Sequence, residues 1–219
     1  NLTSGTDLIH RVEGASVHAI GTPLITNSDG TKFGKSEGNA IWIDAELTSP
    51  YAFYQFWLST ADADVIERLK VFTFLTRAEI EEYAELVATE PFRRAAQKRL
   101  ALEVVATVHG VEATAAVIAA SEALFGQGDL TTLDAATLRT ALDELPHATV
   151  AAGTPVVDAL VATGLVSSLS EARRAIAQGG VSLDGERVED DSATVQGTLP
   201  GGVSVLRRGK KTLAGVFLG

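Results

Sequence analysis

Between Thr48 and Asp143 the chain repeats one pattern, in which a helix cap is followed by apolar residues at helical spacing. Ser49-Pro50 supplies an N-cap and a first-turn proline, Thr76-Arg77-Ala78-Glu79 is a capping box, and Asp134 is a further cap. Apolar side chains three and four residues apart then give each helix one inward face. This pattern predicts an all-α domain over residues 46–145.

The preceding residues, 1–45, have a different character. Short apolar stretches such as Val17–Ile20 alternate with turn residues, of which Asn27-Ser28-Asp29-Gly30 is the strongest signal. A helix is expected to end at Gly14. The stretch has too little apolar material to form a core of its own. It is therefore expected to be the tail of a larger α/β domain.

The chain after residue 145 changes character again. Residues 146–153 are small and uncharged and are interpreted as a linker. Residues 154–219 combine helix signals, including a capping box at Ser168-Leu169-Ser170-Glu171, with a hairpin signal at Asp184-Gly185 and a strand at 203–206. The predicted fold class is thus multidomain, with a small α+β domain last.

Composition narrows the function. The chain has 219 residues, no cysteine and a net charge of -10, and its four histidines show no metal-ligand spacing, so no metal site is predicted. No apolar run approaches the roughly 20 residues of a membrane helix, and no signal peptide is apparent. We expect a cytoplasmic protein. Because position 1 is Asn1 and methionine is absent, the chain is expected to be the C-terminal part of something longer.

The first chemically informative stretch is Lys32-Phe33-Gly34-Lys35-Ser36. Two lysines can bind phosphate and stabilise charge that develops at a reacting phosphorus, and a glycine allows close approach of the backbone. A solvated surface loop is the plain alternative. A P-loop is a second alternative, but it requires glycine five residues before Gly34, where the chain has Asp29.

Taken with its surroundings, this stretch resembles the Lys-Met-Ser-Lys-Ser signature of class I aminoacyl-tRNA synthetases, and in particular of the bacterial tyrosyl branch. The chain is also similar to that branch in five further stretches, namely 1–9, 29–31, 37–42, 49–56 and 108–110. The resemblance covers essentially the whole chain. It implies that residues 1–45 end a class I Rossmann-like catalytic domain and that the helical domain binds the anticodon side of tRNA.

The resemblance also implies an activity, tyrosine–tRNA ligation through tyrosyl-adenylate. Lys32, Phe33, Gly34, Lys35 and Ser36 would bind ATP, with Mg²⁺ expected beside it, and Lys32 and Lys35 would stabilise the pyrophosphate in the transition state. The family's His-x-Gly-His signature and tyrosine pocket are expected upstream of Asn1, so this chain alone should not make adenylate. Tyrosine tRNA, ATP and L-tyrosine are the implied partners, and the family is typically homodimeric.

The last segment resembles a small RNA-binding domain also found in a ribosomal small-subunit protein. The residues expected to bind RNA are basic side chains of one helix and one hairpin: Arg173, Arg174, Arg207, Arg208, Lys210 and Lys211. Scattered surface charge is the alternative interpretation. The acidic side chains nearby would have to face away from the RNA, namely Glu186, Glu189, Asp190 and Asp191.

The helical domain has a weaker basic cluster, for which a solvated helix face is an equal alternative: Arg93, Arg94, Lys98 and Arg99. Its aromatic residues are expected in the core rather than stacked on bases: Tyr51, Phe53, Phe56 and Trp57. Two functional hypotheses remain, a tyrosine–tRNA ligase whose front half lies upstream and a stand-alone RNA-binding fragment without catalytic activity.

Overall fold

The computed structural model describes residues 1–22, 24–28, 30–33, 41–126, 128–209 and 212–219. Its internal contacts divide the chain into two compact units, Asn1–Ala40 and Ile41–Gly219. Each unit is treated by itself below. The predicted domain bounds of 1–45, 46–145 and 154–219 stay predictions.

The first unit begins with helix α1, Leu2–Glu13. The helix ends at Gly14 with φ 63°, as expected, and a left-handed glycine is a common helix terminator. None of the residues of α1 is buried. Among the described residues, the strand-like stretch Val17–Ile20 forms no strand, and the β-structure is a single bridge between Thr26 and Lys32. The low burial agrees with the expectation that this stretch has no core of its own.

The second unit starts with five helices: α2 Pro50–Leu58, α3 Asp62–Phe72, α4 Arg77–Thr89, α5 Ala95–Phe125 and α6 Ala135–Asp143. The predicted caps are confirmed at Ser49 and Asp134, and both halves of the capping box form between Thr76 and Glu79. The N-cap of α3 is Ala61, and Asp62 lies in the first turn. In that position the carboxylate of Asp62 interacts favourably with the positive end of the helix dipole.

Helix α5 is the central element of the helical part and packs against α2, α3, α4 and α6. Gly110, with φ 85° and ψ 166°, breaks it into two segments. The stretch Pro91–Phe125 is long and apolar enough to cross a membrane by those two criteria. A core helix meets the same criteria, and α5 buries Leu100, Val105 and Leu124 against its neighbours.

The aromatic residues of α2 lie in the core. Tyr51, Phe53 and Trp57 are buried, and Phe53 and Trp57 meet edge to face with ring centroids 6.1 Å apart. The prediction of a core role is confirmed for these three residues, whereas Phe56 is only half-buried. Aromatic side chains bury large apolar areas, so this helix contributes strongly to the stability of the helical part.

The last part of the chain is a five-stranded mixed sheet with two helices: β1 His147–Val150, α7 Val156–Ala162, α8 Leu169–Ala177, β2 Val181–Leu183, β3 Glu186–Arg187, β4 Val203–Arg208 and β5 Thr212–Leu218. The strand order is β1-β5-β4-β2-β3. The predicted hairpin at Asp184 and Gly185 is confirmed, with φ 54° and 94° at the two turn residues. These angles match the turn type that joins two strands most directly.

The linker prediction for residues 146–153 was wrong, because residues 147–150 form β1. This strand pairs in parallel with β5, in register from His147 with Gly215 to Val150 with Leu218. It is an edge strand of small residues with one side exposed, so its composition resembles that of a linker. Gly153, with φ 83°, then turns the chain towards α7.

Candidate functional site

The described part of the lysine-containing loop comprises residues 25–28 and 30–33, which are joined by hairpin-like hydrogen bonds. The amide of Phe33 donates to the carbonyl of Ile25 (3.1 Å), and the amide of Asn27 donates to the carbonyl of Thr31 (2.8 Å). Gly30, with φ 82°, allows the tight reversal between them. The bridge partner of Thr26 is Lys32, whose side chain is exposed.

The side chain of Lys32 therefore extends from a hydrogen-bonded backbone, and the neighbouring Phe33 is half-buried. An anchored backbone limits the positions that the ammonium group can take, which suits a residue that binds phosphate. Gly34, Lys35 and Ser36, the rest of the predicted ATP-binding residues, lie outside the described residues.

Helix α8 presents the two predicted RNA-binding arginines. Its apolar residues Ala172, Ala175 and Ile176 are buried, and Arg173 and Arg174 are exposed on the opposite side. This follows from the helical period, because three and four residues return the chain to the same face. Both guanidinium groups are therefore accessible to a large ligand.

Arg208 lies at the end of β4 and has internal partners. It donates to the carbonyl of Leu165 (2.7 Å) and to the Glu171 carboxylate (2.7 Å) in the first turn of α8. Two hydrogen bonds from one guanidinium fix the start of α8 to the sheet. Arg208 thus has a structural role that local sequence could not indicate, and its RNA contact stays a prediction.

Glu171 accepts further hydrogen bonds from the backbone amide (2.8 Å) and the hydroxyl (2.7 Å) of Ser167. These bonds, followed by those from Arg208, lower the pKa of the Glu171 carboxyl from 4.5 to about 2. The predicted capping box is shifted: Ser168 accepts from the amide of Glu171 (3.3 Å), while the carboxylate binds the preceding serine.

This network predicts an acid-dependent loss of stability. A carboxyl whose pKa is lower in the folded than in the unfolded chain stabilises the fold above its unfolded pKa, near 4.5, and that contribution is lost as the pH falls towards 2. Urea denaturation at pH 7 and pH 3 should show a larger loss of unfolding free energy for the native chain than for Glu171→Gln, which has no carboxyl there. Equal losses in the two proteins would contradict this account.

Arg207, also predicted to bind RNA, contacts the helical part of the unit rather than α8. Its guanidinium donates to the carbonyl of Leu124 at the end of α5 (2.7 Å), 83 residues away in the sequence. The side chain is half-buried. Of the predicted set, Arg207 and Arg208 thus make internal contacts, Arg173 and Arg174 are exposed, and Lys210 and Lys211 lie outside the described residues.

The acidic side chains would have to face away from a bound RNA, and one of them, Asp191, lies beside a predicted RNA-binding arginine. Its carboxylate lies 3.5 Å from Nε of Arg173, and both side chains are more than half exposed. An exposed ion pair of this kind contributes little stability, on the order of 0–1 kcal/mol. It does lower the local positive charge that an RNA phosphate would meet.

The basic cluster of the helical part is mostly paired. Arg93 binds Glu90 (2.9 Å) and Arg99 binds Glu103 (2.9 Å). Arg94, with φ 50°, donates to the carbonyl of Leu58 at the end of α2. These contacts agree better with a structural helix face than with a phosphate-binding surface. Among the described residues no group of three or more potential metal ligands is found.

Comparison with known protein families identifies the class. Residues 1–126 match the family model described as tRNA synthetases class I (W and Y). The chain belongs to this family. Residues 137–215 match a second model, described as the tyrosine–tRNA ligase SYY-like C-terminal domain. This range includes most of α6, all of β1, α7 and α8, and most of the sheet. The chain is therefore a member of the tyrosyl branch and carries its C-terminal domain.

Two curated tyrosine–tRNA ligases are similar to this chain over nearly its whole length. A tyrosine–tRNA ligase of Leifsonia xyli is 68% identical over 100% of this chain and 50% of its own length. One of Streptomyces avermitilis is 56% identical over 99% of this chain and 52% of its own length. A truncated mitochondrial tyrosyl-tRNA synthetase of Aspergillus nidulans aligns over 40% of this chain, with 42% identity and a TM-score of 0.39. The chain spans about half the length of the curated relatives it matches.

Proposed function

We propose that the chain is the tRNA-facing half of a tyrosine–tRNA ligase. In this reaction tyrosine attacks the α-phosphate of ATP, pyrophosphate leaves, and the tyrosyl group then passes to tyrosine tRNA. The loop of Lys32, with Phe33, Gly34, Lys35 and Ser36, binds ATP and is accompanied by Mg²⁺. The tyrosine pocket belongs to residues upstream of Asn1, and the complete protein is a cytoplasmic homodimer that needs no membrane.

The observation that carries this proposal is the arrangement of α8 within a domain that matches the tyrosine-specific family model. Arg173 and Arg174 are exposed beside each other, and the Arg208–Glu171 contact holds the start of their helix against the end of β4. Lys210 and Lys211 follow that strand in the sequence and lie outside the described residues. Two exposed arginines on one helix suit the phosphate backbone of a folded RNA.

The test is the salt dependence of tRNA binding. Each phosphate contact contributes a slope of about 0.7–0.9 to the fall of log K with log salt concentration, so Arg173→Ala combined with Arg174→Ala should weaken binding and reduce the slope by about 1.4–1.8. Arg77→Ala is the control, because it also removes one exposed guanidinium, 91% accessible, but from α4. A slope that does not change in the double variant would remove α8 from the RNA interface.

The Arg173–Asp191 pair offers a second arm of the same test. Asp191→Asn removes a carboxylate that competes with phosphate for Arg173, so it should strengthen tRNA binding at low salt. Asp158→Asn is the matched control, since Asp158 is an exposed carboxylate in α7. Equal effects of the two substitutions would indicate that only total charge matters.

The alternative is a stand-alone RNA-binding fragment without catalytic activity. Aminoacylation separates the two proposals. The complete protein should charge tyrosine tRNA, and the 219-residue chain alone should bind it without forming adenylate. Charging that does not depend on Lys32 would count against the role of the loop, and a complete protein that binds but never charges would favour the alternative.

A further inference from the structure

The contact of Arg207 with Leu124 joins the C-terminal sheet to the helical part of the same unit. The Leu124 carbonyl lies in the last turn of α5, where carbonyl groups have no partner within the helix. A guanidinium at this position satisfies the carbonyl and also interacts favourably with the negative end of the helix dipole. Arg207 therefore supplies both a hydrogen bond and a favourable charge at the junction.

Three further contacts lie along α6. At its start, a Cβ built on Gly201 would lie 3.3 Å from Cβ of Ala135. In its middle, the guanidinium of Arg139 lies over the Phe217 ring, 4.7 Å from the centroid. Near its end, a Cβ built on Gly215 would lie 2.9 Å from Cβ of Leu142, so the strand approaches the helix as closely as a glycine allows.

The connection between the two parts is also short. Helix α6 ends at Asp143 and β1 begins at His147, where it pairs directly with β5. The amide of Gly215 donates to the carbonyl of Pro146 (2.9 Å), so the intervening residues are held as well. Contacts at separated points on two helices, with a connection this short, oppose rotation of one part against the other.

We propose that Arg207 is a positioning residue that locks the sheet domain of residues 147–219 onto helices α5 and α6, and that it does not itself contact RNA. The lock presents Arg173 and Arg174 in one orientation relative to the helical part. A receptor that is held in its binding orientation loses less entropy on binding. The consequence for tRNA rests on the proposed function, whereas the lock itself does not.

The lock can be measured without RNA. The chain has no cysteine, so a double-cysteine variant with Glu82→Cys in α4 and Asp158→Cys in α7 can be labelled with nitroxides at these exposed positions only. Pulsed electron–electron double resonance measures the distance between the two nitroxides. In the double-cysteine variant it should give one narrow distance distribution. Arg207→Ala should broaden it, Arg139→Ala should broaden it less, and Arg174→Ala should leave it unchanged. Arg139 is exposed, so its variant tests the lock even if Arg207→Ala fails to fold.

A broad distribution in the native chain would overturn the lock. A narrow distribution that persists in both Arg207→Ala and Arg139→Ala would overturn the roles of these two side chains. Either result would leave the assignment to the synthetase family, which depends on other observations, unaffected.

Binding to tyrosine tRNA then separates positioning from direct contact. If the unlocked domain is in the competent orientation about one-tenth of the time, Arg207→Ala should weaken binding about tenfold without changing the salt slope. A phosphate contact would instead reduce the slope by about 0.7–0.9. A reduced slope would overturn the positioning role, as would unchanged affinity. If no variant and not even the native chain binds tRNA, the proposed function fails while the resonance result still decides the lock.

Discussion

Replacing Lys32 by alanine in the complete protein should reduce the rate of tyrosyl-adenylate formation by roughly 10²–10³-fold, the usual effect of removing one preorganised charge from a transition state. Lys32 is exposed and extends from a backbone anchored by the bonds between Ile25 and Phe33. The backbone that carries its side chain is thus held by internal hydrogen bonds. In the proposed role the charge acts on the departing pyrophosphate, so the affinity for tRNA should change little.

ATP–pyrophosphate exchange measures this step directly. Lys70→Ala is a suitable control, because Lys70 is a half-exposed lysine of α3 that pairs with Glu67. Lys32→Arg keeps the charge and should retain more activity than Lys32→Ala. Lys35→Ala, tested in parallel, should behave like Lys32→Ala, as the resemblance implies. An exchange rate that is unchanged in Lys32→Ala would contradict the catalytic role of the loop.

Replacing Asp64 by alanine should lower the free energy of unfolding by about 3 kcal/mol, because it leaves the buried guanidinium of Arg68 without its counter-ion. The two side chains are 12% and 9% exposed and lie 3.4 Å apart on α3. Burial lowers the pKa of Arg68, and Asp64 opposes this change. Thr60 accepts a second hydrogen bond from Arg68 (3.0 Å). This bond remains in the Asp64→Ala variant, so the guanidinium keeps Thr60 as a side-chain partner.

Helix α4 contains an exposed counterpart for comparison. Arg77 and Glu81 have the same four-residue spacing, but their side chains are 91% and 64% exposed. Glu81→Ala should therefore cost only about 0.3–0.5 kcal/mol. Urea denaturation of both variants, with a double-mutant cycle on Asp64 and Arg68, separates the pair from the rest of the network. Equal and small losses for the two carboxylates would show that burial does not strengthen the dependence of Arg68 on Asp64.

Local sequence signals predicted much of the secondary structure. The caps at Ser49, Thr76 and Asp134 and the hairpin at Asp184 are each set by a few neighbouring residues, so short-range chemistry determines them. Strand β1 has no such signal. Its pairing with β5 joins residues nearly 70 positions apart, and its small side chains carry no periodic pattern that distinguishes a strand from a linker.

The candidate functional residues show the same division. Resemblance pointed to Arg173 and Arg174, and helical periodicity explains their exposure. The partners of Arg207 and Arg208 are Leu124, Leu165 and Glu171, which are distant in sequence, so a count of basic residues could not separate accessible arginines from those used inside the fold. The position of Asp191 beside Arg173 also depends on tertiary structure.

The central claim is that this chain holds tyrosine tRNA without performing the chemistry. Binding of the 219-residue chain to tyrosine tRNA and to a tRNA with a short variable arm, each at several salt concentrations, tests it most directly. We expect tighter, salt-sensitive binding to tyrosine tRNA. Equal and weak binding to both tRNAs at every salt concentration would contradict the claim.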